Sequence, residues 1–305
     1  VVTPGLAGAY AYCERLAQTH YENFPVASRL LPARMRPHIA AIYAFARLAD
    51  DMADEGARPA RERLADLDDW GQRLEAAAGD ESLPREAHAD VFVALRHTMR
   101  ACRLPVALFR DLLSAFRQDV TTTRYAAWPD VLEYCRRSAN PVGRLVLRVA
   151  GYEDRWLDAA SDAVCTALQL ANFWQDLAID WRKGRLYVPE SIWSAAGARL
   201  EDLDRGVLTA EWRAAVADVT VRTRALFAAG RPVCDGVRGR LRYELRASWL
   251  GGTTILDKLE AAGYDMFAHR PRLTRADAPA LLWRTMLWRE PAPRSARDAG
   301  SGTEH

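Results

Sequence analysis

The chain has 305 residues, half of them apolar and 27 % charged, with a formal net charge of +2; it is long enough for one large helical domain that encloses a ligand cavity. The near-neutral balance and the lack of basic runs interleaved with aromatics argue against nucleic acid as a partner. Five scattered cysteines without a Cys-x-x-Cys pair fit a reducing cytoplasm, no apolar run approaches the ~20 residues of a bilayer span, and the N-terminus lacks a signal-peptide pattern.

Ala, Leu and Arg dominate, and apolar residues recur at helical rather than strand spacing. The spacing predicts helices over 6–20, 34–55, 59–77, 86–102, 105–118, 129–151, 155–181, 209–230, 236–262 and 275–289. Gly56 with Pro59, Gly79 with Pro84, Pro105, Pro129, Gly184 and Pro232 fall between them as breakers. The expected fold is all-α, one bundle over residues 1–290, with a disordered Ala/Arg/Ser/Gly-rich tail over 291–305.

In the helix at 34–55, Tyr43, Arg47, Asp50 and Asp54 share one narrow stripe, with Asp51 at its edge. Ile42, Ala46 and Ala49 adjoin the stripe. Acids stacked at i and i+4 repel one another, and a cation offsets that cost. Mg²⁺ takes oxygen ligands of this kind.

The segment Tyr134-Cys-Arg-Arg-Ser-Ala-Asn140-Pro141-Val-Gly143 reads as a helix kinked by Pro141, which frees a carbonyl. Gly143 admits a close approach by another backbone or a ligand. Further on, Gln169, Asn172, Asp176 and Asp180 share one face of an otherwise apolar helix. One acidic run near a helix end is ordinarily a solvated terminus. Two such runs, each continued upstream by polar residues on the same face, point to a site.

Two acidic faces suit a diphosphate leaving group, whose charge carboxylate-held magnesium neutralises as a carbon–oxygen bond breaks. Arg47, Arg182, Lys183 and Arg185 are candidates to complete the clamp. The carbocation left behind needs an apolar pocket with aromatic faces. Phe24, Phe45, Phe173 and Tyr187 are candidates for that wall. Core packing is the competing reading for each. In the last helix, Trp283 and Trp288 with their arginines either pack on the bundle or touch a membrane surface. Thr274 to Asp277 resembles a capping box that opens this helix.

Taken together, Tyr43-x-x-x-Arg47-x-x-Asp50-Asp51-x-x-Asp54, Tyr134-Cys with Val142-Gly143, Gln169-x-x-Asn172-x-x-x-Asp176-x-x-x-Asp180 and Arg185-Leu-Tyr187-Val-Pro189 resemble the squalene/phytoene synthase family. The resemblance runs from about Tyr21 to Tyr264. It implies a single-domain isoprenoid-synthase bundle with a central cavity and a prenyl diphosphate substrate. It also implies Mg²⁺ at or beside Asp50, Asp54, Asp176 and Asp180, diphosphate contacts from Arg47, Asn172, Arg185 and Tyr187, and Gln169 lining the cavity.

Within the family, Glu22 to Ser28, Ser138 to Arg144 and Asn172 to Arg185 look most like the bacterial branch that serves hopanoid synthesis. That likeness implies ionisation of presqualene diphosphate, rearrangement of its cyclopropyl cation and capture by water, followed by handover to other enzymes of squalene and hopanoid synthesis. The family's usual second motif carries Arg and Glu where this chain has Gln175 and Ile179, and a common Tyr is Gly252 here. Those losses favour one pre-joined diphosphate over two farnesyl diphosphates. Asn140, beside the carbonyl freed by Pro141, is the expected holder of the water. The alternatives are a head-to-head prenyltransferase and a catalytically silent helical partner.

Overall fold

The computed structural model describes residues 5–19, 31–54, 58–79, 81–83 and 86–288. Among these the chain forms α-helices and short connectors, with no strand and one isolated parallel bridge between Arg124 and Leu186. The first helices are α1 (Leu6–Thr19), α2 (Arg36–Asp54), α3 (Ala60–Ala78), α4 (Ala89–Ala101) and α5 (Val106–Thr121). α2 runs with its apolar side inward. Ile39, Ala40, Ala44, Phe45, Ala49 and Ala53 are buried against α1, α4 and α5. The small residues along it let those neighbours come close.

The predicted helix over 129–151 is in fact two: α6 (Trp128–Ser138) and α7 (Asn140–Val149), broken at Ala139. Pro141 sits in the first turn of α7 rather than inside a helix. Its missing N–H leaves the ladder without a donor there, so the break falls just before it. The predicted helix over 155–181 is likewise divided into α8 (Arg155–Gln175) and α9 (Leu177–Arg182). Asp176 lies between them at φ −100° and ψ 7°, and its carbonyl accepts from Ile179 and Asp180 to start the next helix. Neither proline nor glycine causes this break.

α8 is the inner helix, packed against α6, α7, α12 (Ala210–Gly230) and α14 (Arg240–Ala261). Gly230 permits the α8–α12 approach, since a Cβ there would fall 2.7 Å from the Ala160 carbonyl oxygen. Three short helices not foreseen from spacing complete this half: α10 (Glu190–Trp193), α11 (Leu200–Asp204) and α13 (Val233–Gly236). α15 (Ala278–Leu287) begins three residues later than expected, after Asp277. The Asp277 carboxylate accepts from the Thr274 amide, as the capping pattern predicts, but the Thr274 hydroxyl donates to that carboxylate and the Asp277 amide goes to the Thr274 carbonyl, so only half of the box forms, one turn ahead of the helix. Phe24, the Glu22–Ser28 stretch and the tail over 291–305 lie outside the described residues.

Candidate active site

The first acidic face forms as the helical spacing requires. Asp50 and Asp54 follow one another on the last turns of α2, and Arg47 lies one turn earlier. Arg47 holds Asp51 at 2.6 Å and reaches Asp50 at 3.6 Å. Asp51 is thus the partner of Arg47 rather than a bystander at the edge of the stripe. Tyr43 is half-buried one turn further up, and burial pushes its hydroxyl pKa upward.

Asp50 keeps 41 % of its side-chain surface accessible. Protein nevertheless surrounds it closely enough that desolvation, followed by repulsion from Asp54, pushes its pKa up to about 6.

The second face is built across the α8–α9 break. Gln169 and Asn172 are half-buried on α8, Asp176 caps that helix, and Asp180 lies in α9. Burial, and then the neighbouring Asp176, pushes Asp180 up to about 7, with a further contribution from Asp54 on α2. The two acidic faces therefore sense each other.

Arg185 joins them. It follows α9 in sequence, yet its guanidinium takes Asp54 with both nitrogens, at 2.6 and 3.2 Å. Its Nη2 also donates to the Asp119 carbonyl. Fork-to-fork geometry of this kind is strong and directional. Of the other cations proposed for a clamp, Arg182 and Lys183 are exposed.

Two functional candidates escaped the sequence reading. Asp119, near the end of α5, is buried, and its Oδ2 accepts from the Tyr134 hydroxyl at 2.8 Å. Burial pushes its pKa up to about 7, with Asp54 and Asp50 contributing to the rise. A signal was present: Leu108, Leu112, Ala115 and Asp119 form the buried stripe of α5, and an acid in such a stripe is out of place. Arg270 is the second. It grips Asp176 through both nitrogens from the segment between α14 and α15, and nothing in its local sequence marks it.

Beside the acids stands an aromatic wall. Phe173 and Tyr187 stack with centroids 3.7 Å apart and planes within 2°. Tyr134 and Tyr125 pack around them at 5.8–6.2 Å. Phe45 does not belong to this wall. It is fully buried among Trp70, Phe92 and Phe109, so it is a core residue. Asn140 is buried at the start of α7, and its amide oxygen accepts from the Thr166 hydroxyl at 2.9 Å.

Asp50, Asp54, Asp176 and Asp180 offer the all-oxygen donor set that a hard divalent cation takes. As the side chains lie, no three acidic, histidine or cysteine groups among the described residues stand together as a ready-made metal site. Arg185 and Arg270 occupy Asp54 and Asp176 instead. A cation would take the place of those guanidinium groups, which would then be free to meet an anion. A surface cleft bordered by Trp156, Arg231 and Asp235 contains none of these carboxylates.

Comparison with known proteins gives the family. The squalene/phytoene synthase family model matches residues 17–277. The chain is 41 % identical over 208 residues to the hydroxysqualene synthase of Zymomonas mobilis subsp. mobilis, covering 67 % of each chain. It is 40 % identical over 226 residues to that of Rhodopseudomonas palustris, covering 73 % of this chain and 74 % of the relative. The crystal structure of squalene synthase HpnC from Alicyclobacillus acidocaldarius superimposes with a TM-score of 0.79 at 40 % identity, over 87 % of this chain and 97 % of that one. With its helical bundle and its paired acidic faces, the chain belongs to the squalene/phytoene synthase family.

Proposed function

We propose that the protein ionises presqualene diphosphate in the presence of Mg²⁺, allows the cyclopropyl cation to rearrange, and releases hydroxysqualene and diphosphate after capture by water. The observation that carries this reading is the pair of acidic faces, with Asp54 held by Arg185 from the loop after α9 and the Asp180 pKa raised by burial, Asp176 and Asp54, beside the flat Phe173–Tyr187 pair. The names of the similar relatives support the same activity.

Asp50, Asp54, Asp176 and Asp180 are the residues that would hold magnesium, which when bound offsets negative charge on the diphosphate as its ester bond breaks. Arg185 and Arg47 bind and orient the diphosphate. Asn172 and Gln169 line the α8 side of the recess. Phe173 and Tyr187 present aromatic faces to the cation and keep bulk water away. Asn140, with Thr166 fixing its amide oxygen, presents its NH₂ to the water that attacks.

No helix among the described residues is long and apolar enough to cross a membrane. The outer face of α15 nevertheless exposes Leu282, Trp283 and Met286 at 64–67 %. We propose that the protein works in the cytoplasm with this face resting on a membrane surface, where a C30 substrate is taken up and its product handed to later enzymes.

Incubation with MgCl₂ and presqualene diphosphate, followed by lipid analysis, tests the reaction. The expected product is hydroxysqualene with stoichiometric pyrophosphate. Turnover of farnesyl diphosphate alone would assign the chain to the prenyltransferases instead.

A further inference from the structure

The segment over 262–277 leaves α14 and runs back along it to α15. It is fastened at three places. At its start, Arg213 donates to the Gly263 carbonyl and to Asp265. At its end, Lys258 donates to the Arg272 carbonyl and to Asp277. Between these, two consecutive residues of the α8–α9 break hold two consecutive residues of the segment. The Gln175 side-chain amide donates to the Pro271 carbonyl, and Arg270 closes on Asp176 with both nitrogens.

The pairing is economical in geometry. Arg270 is a long side chain on an irregular segment, and free rotation would scatter its charge over many positions. Pro271 cannot offer an N–H, so its carbonyl is the polar group through which the main chain can be held at that point. An amide is well suited to hold it, being an uncharged donor that neither competes with Arg270 for Asp176 nor repels it. Fixing the main chain of residue 271 fixes the origin of the neighbouring side chain.

We propose that Gln175 is a positioning residue: by holding the Pro271 carbonyl it delivers Arg270 to Asp176, and so places a guanidinium at the second acidic face that α8 and α9 do not themselves supply. This deepens the reading of that face as a diphosphate site and rests on it. Arg185 performs the corresponding task at the first face, from the loop after α9.

The first test uses the ligand-free protein, so it is independent of which prenyl diphosphate is the substrate. Gln175→Met keeps the length of the side chain and removes the donor. Amide hydrogen exchange over residues 266–273 is expected to quicken about tenfold, as for loss of one hydrogen-bonded anchor. Unchanged exchange overturns the proposal. Far-UV circular dichroism confirms the fold. If Gln175→Met does not fold, Gln175→Glu, of the same shape without a donor, carries the same prediction.

The second test is a double-mutant cycle. Binding of inorganic pyrophosphate with MgCl₂ is read by calorimetry for Gln175→Met, Arg270→Gln and the double variant. Each single variant is expected to weaken binding about tenfold, and the double variant no further than Arg270→Gln alone, because Gln175 acts through Arg270. Effects that multiply would overturn the positioning role. Faster exchange together with no pyrophosphate binding by the unmodified protein would leave the segment's anchor standing and refute the diphosphate reading instead.

Discussion

Replacing Asp119 by Asn should make the ligand-free protein more stable, and only where Asp119 would otherwise be charged. The folded-state pKa is raised from 3.8 to about 7, chiefly by burial. Between those values the folded protein holds a proton that the unfolded chain has released, so stability falls as pH rises through this window. Above about pH 7 the whole penalty is present. At its ceiling it is about 4 kcal/mol. The hydrogen bond from Tyr134 and the nearby Arg185, which both favour the charged form, reduce it to a working expectation of ~1–3 kcal/mol.

Asn retains an oxygen to accept from Tyr134, so the hydrogen bond survives while the charge goes. Thermal melts at pH 8.5 should show a rise of roughly 2–8 °C. At pH 3, below both values, the difference should nearly vanish. A variant that gains equally at both pH values, or gains nothing at pH 8.5, would refute the assignment of Asp119 as a buried acid strained by its surroundings.

Gly230→Ala sets two effects against each other. Ala is the better helix former by roughly 1 kcal/mol, but its Cβ would meet the Ala160 carbonyl oxygen and the Val164 amide nitrogen, each at 2.7 Å. Backbone cannot step aside, so a net loss of about 1–3 kcal/mol is expected in denaturant unfolding; a stabilised variant would show that the α8–α12 spacing is wrong. For α15, a Trp283→Ser, Met286→Ser double variant should cosediment less with vesicles of anionic phospholipid while keeping its pyrophosphate release from soluble substrate. Equal cosedimentation would remove this face from any membrane contact.

What the sequence reveals of this molecule depends on how far apart the partners lie. Asp50 and Asp54 were legible because helical spacing alone stacks them; the same spacing drew attention to Asp176 and Asp180, but their face is assembled across the α8–α9 break rather than on one continuous helix. The α6–α7 break was foreshadowed by Pro141, whose chemistry is local. The α8–α9 break at Asp176 was not, because no residue there disfavours a helix. Side-chain contacts to a segment nearly a hundred positions away accompany it. Arg185 was a candidate for the clamp, but its grip on Asp54, 131 positions away, is visible only once the chain is folded. Phe45 shows the opposite failure. Its neighbourhood in sequence is that of a site residue, while its ring points into the core.

The β-like bridge between Arg124 and Leu186, the one found among the described residues, has a consequence for how the site can vary. Tyr187 reaches Phe173 from a loop, yet the loop is carried by main-chain bonds: Leu186 N–H to the Thr123 carbonyl, Glu190 N–H to that of Tyr125, and Ser191 N–H to that of Ala126. Peptide groups are common to all residues, and only proline lacks the donor. The exposed side chains at 190 and 191 can therefore drift through most of the amino-acid alphabet while Tyr187 stays where it is, whereas Leu186, buried in the core, must stay apolar. The aromatic wall is anchored in the part of the polypeptide that substitution rarely edits.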